Sequence, residues 1–294
     1  WPGPPIGSIG VSEHVISPAG PYSLMASLNA RRSLSWRRCP QSGMQMVLRD
    51  GTRPYVVHLW QRPDGEVVAR TPLDDHTTAA LAEVRFALAI DDDHRPFLAR
   101  CADDELLQQV SIPHRGLRPV RTSVAQALLH AFCGQLISAR EAWLIERRIT
   151  TRLGTVHAGM LLPLSGEELR AASPAEFVRC GLAPRRASAL ALAARNLDLD
   201  RLRDEPIATA IARLLREPMI GPWSAGVVAL WGLGSHTHGI VGDLNLMRLC
   251  TNLLGRPATV ADTRRLLADY GEWAGLASLH LMHHPLAHRR NHAA

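Results

Sequence analysis

The strongest constraint on what this chain can fold into is a helix-start signal that recurs four times in its second half. A Ser or Thr is followed three residues later by an acid at Ser138 with Glu141, Ser165 with Glu168, Ser173 with Glu176, and Thr259 with Asp262. In such a capping box the hydroxyl accepts from the third amide of the helix, and the acid reaches back to the amide of the cap. Two donors that a helix end leaves unpaired are thereby satisfied together. Between the boxes lie SVAQALLHAF (123–132), with Val124, Leu128 and Phe132 on one face, and the Ala-rich PRRASALALAARNL (184–197). The pattern predicts a bundle of short helices joined by short loops, occupying residues 99–294.

The first part reads differently. MQMVLRDG (44–51), YVVHLW (55–60) and EVVART (66–71) alternate or are β-branched, and Asp50-Gly51 and Asp64-Gly65 are turn dipeptides between them. TTAALAEVRFALAI (77–90) has apolar residues at helical spacing. The expected class is therefore α+β: a small antiparallel sheet carrying a helix over residues 1–98, then a larger all-helical part. No internal repeat or low-complexity tract interrupts it, and the tail LAHRRNHAA (286–294) reads as a frayed basic end.

Composition narrows the functional classes. A chain of 294 residues with 46% apolar and 20% charged residues is that of a soluble globular protein. No apolar run approaches the roughly 18 residues of a membrane span. The opening WPGPPIGS lacks the charged-then-apolar plan of a signal peptide, so a cytoplasmic location is expected. A net charge of +6 and a pI near 9.6 favour a polyanionic partner. All 33 basic residues are arginine, so lysine imine chemistry is excluded. Five cysteines without a C-x-x-C pair fit neither zinc nor an iron–sulfur cluster, and suit a reducing compartment.

Two features of the stretch 214–249 carry chemistry. EPMIGPWSAG reads as a helix, a tight turn and a second helix. Gly221 is expected to supply a positive φ there, and Pro222 opens a helix whose dipole attracts an anion. The same turn also serves as an ordinary corner of a bundle. In VGDLNL, Asp243 reads as a helix N-cap, or as a carboxylate held beside a substrate to stabilise positive charge and orient water.

The order hairpin, helix, loop, then Asp opening a helix resembles that of the helix-hairpin-helix DNA glycosylases. The similarity extends over nearly the whole chain to their 3-methyladenine-DNA glycosylase II (AlkA) branch. It is carried by SPAGPYSLMASLNARRSL (17–34), RPFLARCADDELLQQVSIPHRGLRPVR (95–121), ALLHAFCGQLIS (127–138) and CGLAPRRASALALAARNL (180–197). The resemblance implies two helical subdomains with a cleft for DNA and base between them. It implies Asp243 as the catalytic aspartate, and Met219 to Ser224, with Gly221, as the hairpin whose amides grip phosphate. A monovalent cation held by nearby carbonyls is implied there, and no other cofactor is expected. Leu136, beside Gln135, matches the wedge that fills the gap left by an extruded nucleotide, although a leucine there also reads as core. Trp223 and Trp273 match positions lining the base pocket, though each also reads as core. Bifunctional relatives carry a catalytic lysine where Trp223 stands.

The chain also departs from the family pattern. Met219 stands where glycine is usual, and the pocket positions Val227 and Leu244 stand where relatives carry tyrosine. The loop SHTHGIVG (235–242) lacks the extra acids common there and offers His236 and His238 instead. The arginine often found just after the pocket tryptophan is missing from EWAGLAS (272–278). His280-x-x-His283-His284 has no carboxylate or cysteine to complete a metal site, so no metal is expected. The reading that follows is a monomeric, monofunctional glycosylase acting on double-stranded DNA with a damaged, alkylated purine. A non-catalytic helix-hairpin-helix DNA-binding or damage-sensing module is the alternative.

Overall fold

In a computed structural model of the chain, which describes residues 10–39, 43–51, 53–72 and 76–289, the two turn dipeptides close the hairpins of one antiparallel sheet. The opening stretch WPGPPIGS and the last five residues of the tail lie outside the described residues. The strands are β1 (Val11–Ile16), β2 (Trp36–Arg38), β3 (Met44–Asp50), β4 (Arg53–Gln61) and β5 (Val67–Pro72), in the order β1-β5-β4-β3-β2. Alternation along β3 and β4 places Met44, Met46, Tyr55, Val57 and Leu59 on one buried face. Helices α1 (Leu24–Asn29) and α2 (Thr77–Ala87) cover that face through Leu24, Leu28, Ala80 and Val84. The helical pattern of 77–90 stops at Ala87 because Ala89 takes a left-handed φ of 51°. The edge strands β1 and β2 have little sequence signature: Val11 and Val15 of β1 are exposed, and β2 has three residues.

Among the described residues the rest is helices and loops apart from a two-stranded ribbon, Val156–His157 with Met160–Leu161. Its helices are α3 (Arg95–Ala102), α4 (Glu105–His114), α5 (Val124–Gly134), α6 (Ala139–Leu153), α7 (Gly166–Ala171), α8 (Pro174–Arg179) and α9 (Pro184–Asn196). They continue as α10 (Ile207–Leu214), α11 (Pro222–Val228), α12 (Leu244–Leu254), α13 (Val260–Ala268), α14 (Ala274–Leu281) and α15 (Pro285–His288). All four capping boxes form at the expected helix starts. Ser138 N–H donates to the Glu141 carboxylate at 3.2 Å and Ser165 N–H to that of Glu168 at 2.7 Å. Ser173 N–H donates to Glu176 at 2.9 Å, and Thr259 N–H to Asp262 at 2.7 Å.

Two apolar cores lie inside the helical part. One gathers α5 to α10 around Leu128, Phe132, Phe177 and Leu190. The other joins α3 and α4 to α12 to α15 around Phe97, Leu107, Leu246 and Leu276. Helix α11 and the π-turn that continues it (Ala229–Leu233) separate them: Ala225 and Val228 face the first core, Val227 and Leu230 the second. Helix α3 runs across residue 98, and its Phe97 and Cys101 pack in the second core. Arg118, fully buried, ties the sheet to the bundle by donating to the carbonyls of Ala89, Asp92, Ala19 and Pro21. Among the described residues no helix is long and apolar enough to cross a membrane.

Candidate active site

The turn between α10 and α11 is tight because of Met219, whose φ is +65°; Gly221 is extended, with φ −100° and ψ −175°. The positive φ expected at Gly221 is thus carried two residues earlier, at the position where the family usually has glycine. A left-handed non-glycine residue costs roughly 1–2 kcal/mol, which the surrounding packing must offset. Ile220, buried next to it, and Met219 itself rest on the first core and hold the turn in place. A Cβ added at Gly221 would meet nothing within 4 Å, so this side of the turn is open.

The loop after α5 meets that turn. Gln135 Nε2 donates to Met219 O at 2.9 Å and to Ser224 Oγ at 3.1 Å, while Arg186 holds Gln135 O at 2.9 Å. Gln135 Nε2 and the buried Ser224 Oγ are thus paired inside the protein, while Gln135 Oε1 is buried without a partner. Any contact Ser224 makes with a ligand falls to its backbone amide. Leu136, next in the chain, is 95% exposed with φ +57°, so it is not a core leucine. Gly134 is required: a Cβ there would lie 2.8 Å from the Trp223 ring.

Asp243 caps α12, its Oδ1 accepting from Asn245 N at 2.8 Å, and its Oδ2 accepts from Trp223 Nε1 at 3.3 Å. Both carboxylate oxygens thus have protein partners, and Asp243 is the helix N-cap that its place before LNL predicts. The approach segment is clamped by small residues. A Cβ on Gly226 of α11 would lie 2.5 Å from Gly239 O, and one on Gly275 of α14 would lie 2.9 Å from His238 O. Ile240 N donates to Ser278 Oγ and Gly242 N to Thr263 Oγ1, each at 3.0 Å. The carboxylate is thus set by α11, α13 and α14 together.

No family model matches the chain. It is 28% identical over 251 residues to a probable bifunctional transcriptional activator/DNA repair enzyme AlkA of Mycobacterium tuberculosis, an overlap covering 75% of this chain and 48% of that one. The chain thus spans about half the length of the curated relatives it matches. Among solved structures it is similar to the 3-methyladenine DNA-glycosylase from Archaeoglobus fulgidus. There the TM-score is 0.77 at 17% identity, over 92% of this chain and 97% of that one. It is also similar to the apo 8-oxoguanine glycosylase/lyase of Clostridium acetobutylicum, with a TM-score of 0.72 at 15% identity, over 93% and 98% of the two chains. The chain therefore has the fold of these DNA glycosylases.

Trp223 and Trp273 are both partly buried against the second core, and Leu244, at the first position of α12, is 52% exposed. Val227 is 1% exposed among core side chains. A cleft of about 270 Å³ opens on the other side of α11, lined by Ile211, Leu215, Pro222, His238 and Arg264, and it does not contain Asp243, Trp223 or Trp273. Behind Trp273 stands a polar group that sequence reasoning did not assemble. The His236 ring stacks on Trp273 at 5.9 Å between centroids and lies edge-on to His94 at 4.9 Å, with Asp92 facing both. The clues were the acidic run DDDH (91–94) and the histidines of SHTHGIVG, but nothing in the sequence pairs them. His280 and His284 of the His-rich segment are buried in the fold, His280 edge-on to Phe97.

Proposed function

We propose that the chain is a monofunctional DNA glycosylase. It would hydrolyse the N-glycosidic bond of a damaged, alkylated purine in double-stranded DNA and leave an abasic site, acting as a monomer. The observation that carries this reading is the position of Asp243. One carboxylate oxygen is fixed by a helix start and the other by Trp223, close to a tight hairpin and an exposed leucine.

A base stacked in a duplex is out of reach, so it must be flipped out at a cost of roughly a few kcal/mol, least for damaged or mispaired bases. Leu136 would fill the space it leaves, and the backbone amides around Gly221 and Ser224 would hold a phosphate at the start of α11. The carbonyls of Met219 and Gly221 each accept one hydrogen bond and keep a second lone pair. They therefore suit a monovalent cation, which would add positive charge beside that phosphate. As the bond to the base breaks, positive charge grows on the sugar. The Asp243 carboxylate would stabilise it and guide water onto the anomeric carbon, the base leaving with the bonding electrons. Trp223 and Trp273 would hold a cationic base by its attraction to their rings, with Leu244 at the mouth. A lysine imine to the opened sugar has no residue to form it, since the sequence contains no lysine, which supports the monofunctional reading.

Alkylated duplex DNA incubated with the protein and then treated with hot alkali should break at abasic sites, and release should fall at least about 100-fold in Asp243→Asn. DNA binding by that variant should persist. Absence of base release from alkylated, deaminated and oxidised duplexes alike would defeat the enzymatic reading and leave a DNA-binding module.

A further inference from the structure

We propose that Asp92, His94 and His236 form a binding site for a divalent transition metal ion of the zinc class, where the sheet part meets the helical bundle. His94 Nε2 lies 3.8 Å and His236 Nε2 3.2 Å from the same oxygen of Asp92, and the three atoms all lie within 4.8 Å of one another. An ion with bonds of about 2.0–2.2 Å in a tetrahedral shell sets its ligand atoms roughly 3.3–3.6 Å apart, so small side-chain shifts close the site. Two imidazoles and one carboxylate form a common donor set for zinc, with the fourth position left to water.

Both Nε2 atoms are buried, and neither makes a hydrogen bond, although each faces the Asp92 carboxylate. His94 is 1% exposed, so its ring nitrogen has no route to solvent as compensation. A metal ion supplies the partner that both nitrogens lack. Ligation needs neutral imidazole and ionised carboxylate.

Arg121 is the competing charge. It donates to the same Asp92 oxygen, and to Gly234 O at 3.1 Å. A carboxylate offers about four lone-pair sites, so guanidinium and metal can share it. Ligating carboxylates are commonly oriented by such a second partner. The guanidinium weakens the attraction for a cation, so micromolar rather than tighter affinity is expected. The site is separate from the His-rich segment of α14 and α15. It does not depend on the glycosylase reading, although His236 stacks on Trp273 and its backbone carbonyl accepts from Gly275 N at 2.7 Å.

Calorimetric titration of the metal-stripped full chain with zinc chloride should give one equivalent per chain. Cobalt(II) in its place should develop the visible absorption of a tetrahedral nitrogen and oxygen site. His94→Gln and His236→Gln should each weaken binding at least about tenfold, while His283→Gln leaves it unchanged; melting in chelator checks that each variant folds. Cobalt should also quench tryptophan fluorescence, less so in Trp273→Phe, which provides a readout in case a ligand variant does not fold. Absence of binding at micromolar zinc, binding indifferent to both ligand substitutions, or binding lost in His283→Gln would each overturn the proposal.

Discussion

Leu136 and Met219 hold left-handed backbone without being glycine, and each stands where the proposed enzyme would meet DNA. A β-branched side chain tolerates that backbone less well than an unbranched one. Met219→Val is expected to cost about 1–2 kcal/mol in chemical denaturation. Leu136 is 95% exposed, so Leu136→Ala should change stability by no more than about 0.5 kcal/mol. Base release should nonetheless fall, about tenfold if the side chain fills the gap in the duplex. Stability and activity measured on one preparation separate the two effects. At this scale the sequence exposed groups whose meaning is local: Asp243 before a helical run, Pro222 after Gly221, Ser138 three residues before Glu141. It misplaced the positive φ, because glycine is the usual marker for it and packing put it on Met219 instead. It could not bring Asp92, His94 and His236 together, since their proximity depends on how the sheet part docks on the bundle.

Helix starts were legible because a capping box is written within four residues, whereas edge strands were not, because their pairing partners lie far along the chain. Ser138→Ala should destabilise by about 1 kcal/mol, read by urea denaturation, since it leaves the Glu141 amide at the start of α6 without its acceptor. The packing of α11 on the segment 236–242 is a different kind of constraint. Gly226→Ala puts a methyl 2.5 Å from Gly239 O, and backbone must move to admit it. The expected cost is about 1–3 kcal/mol. Because that segment leads to Asp243, glycosylase activity should fall further than the loss of folded protein accounts for. Activity per folded molecule, from active-site titration beside circular dichroism, tests this.

For the molecule as a whole, acid is the natural stress. Burial holds His94 down to about 4 and His280 down to about 3, against 6.5 for a free imidazole. Between those values and 6.5 the unfolded chain binds protons that the folded chain refuses, so stability rises with pH. Their contribution is complete above about pH 6.5 and is lost as pH falls through 4 and then 3. The melting temperature should therefore drop between pH 7 and pH 4, and the drop should shrink in His280→Leu; scanning calorimetry at several pH values is the check. The α+β plan and the bundle were readable from period and turns, but the two cores on either side of α11 depend on contacts that no local pattern records. The same long-range packing gives Gln135 its consequence. By joining Met219 O to the loop that carries Leu136, one amide makes the hairpin and the leucine a gauge of fixed opening. If the proposed enzyme holds DNA by both, the strand would have to present its phosphate and its gap at that one separation, and duplexes would be sorted by how readily they bend to the gauge before any base is read.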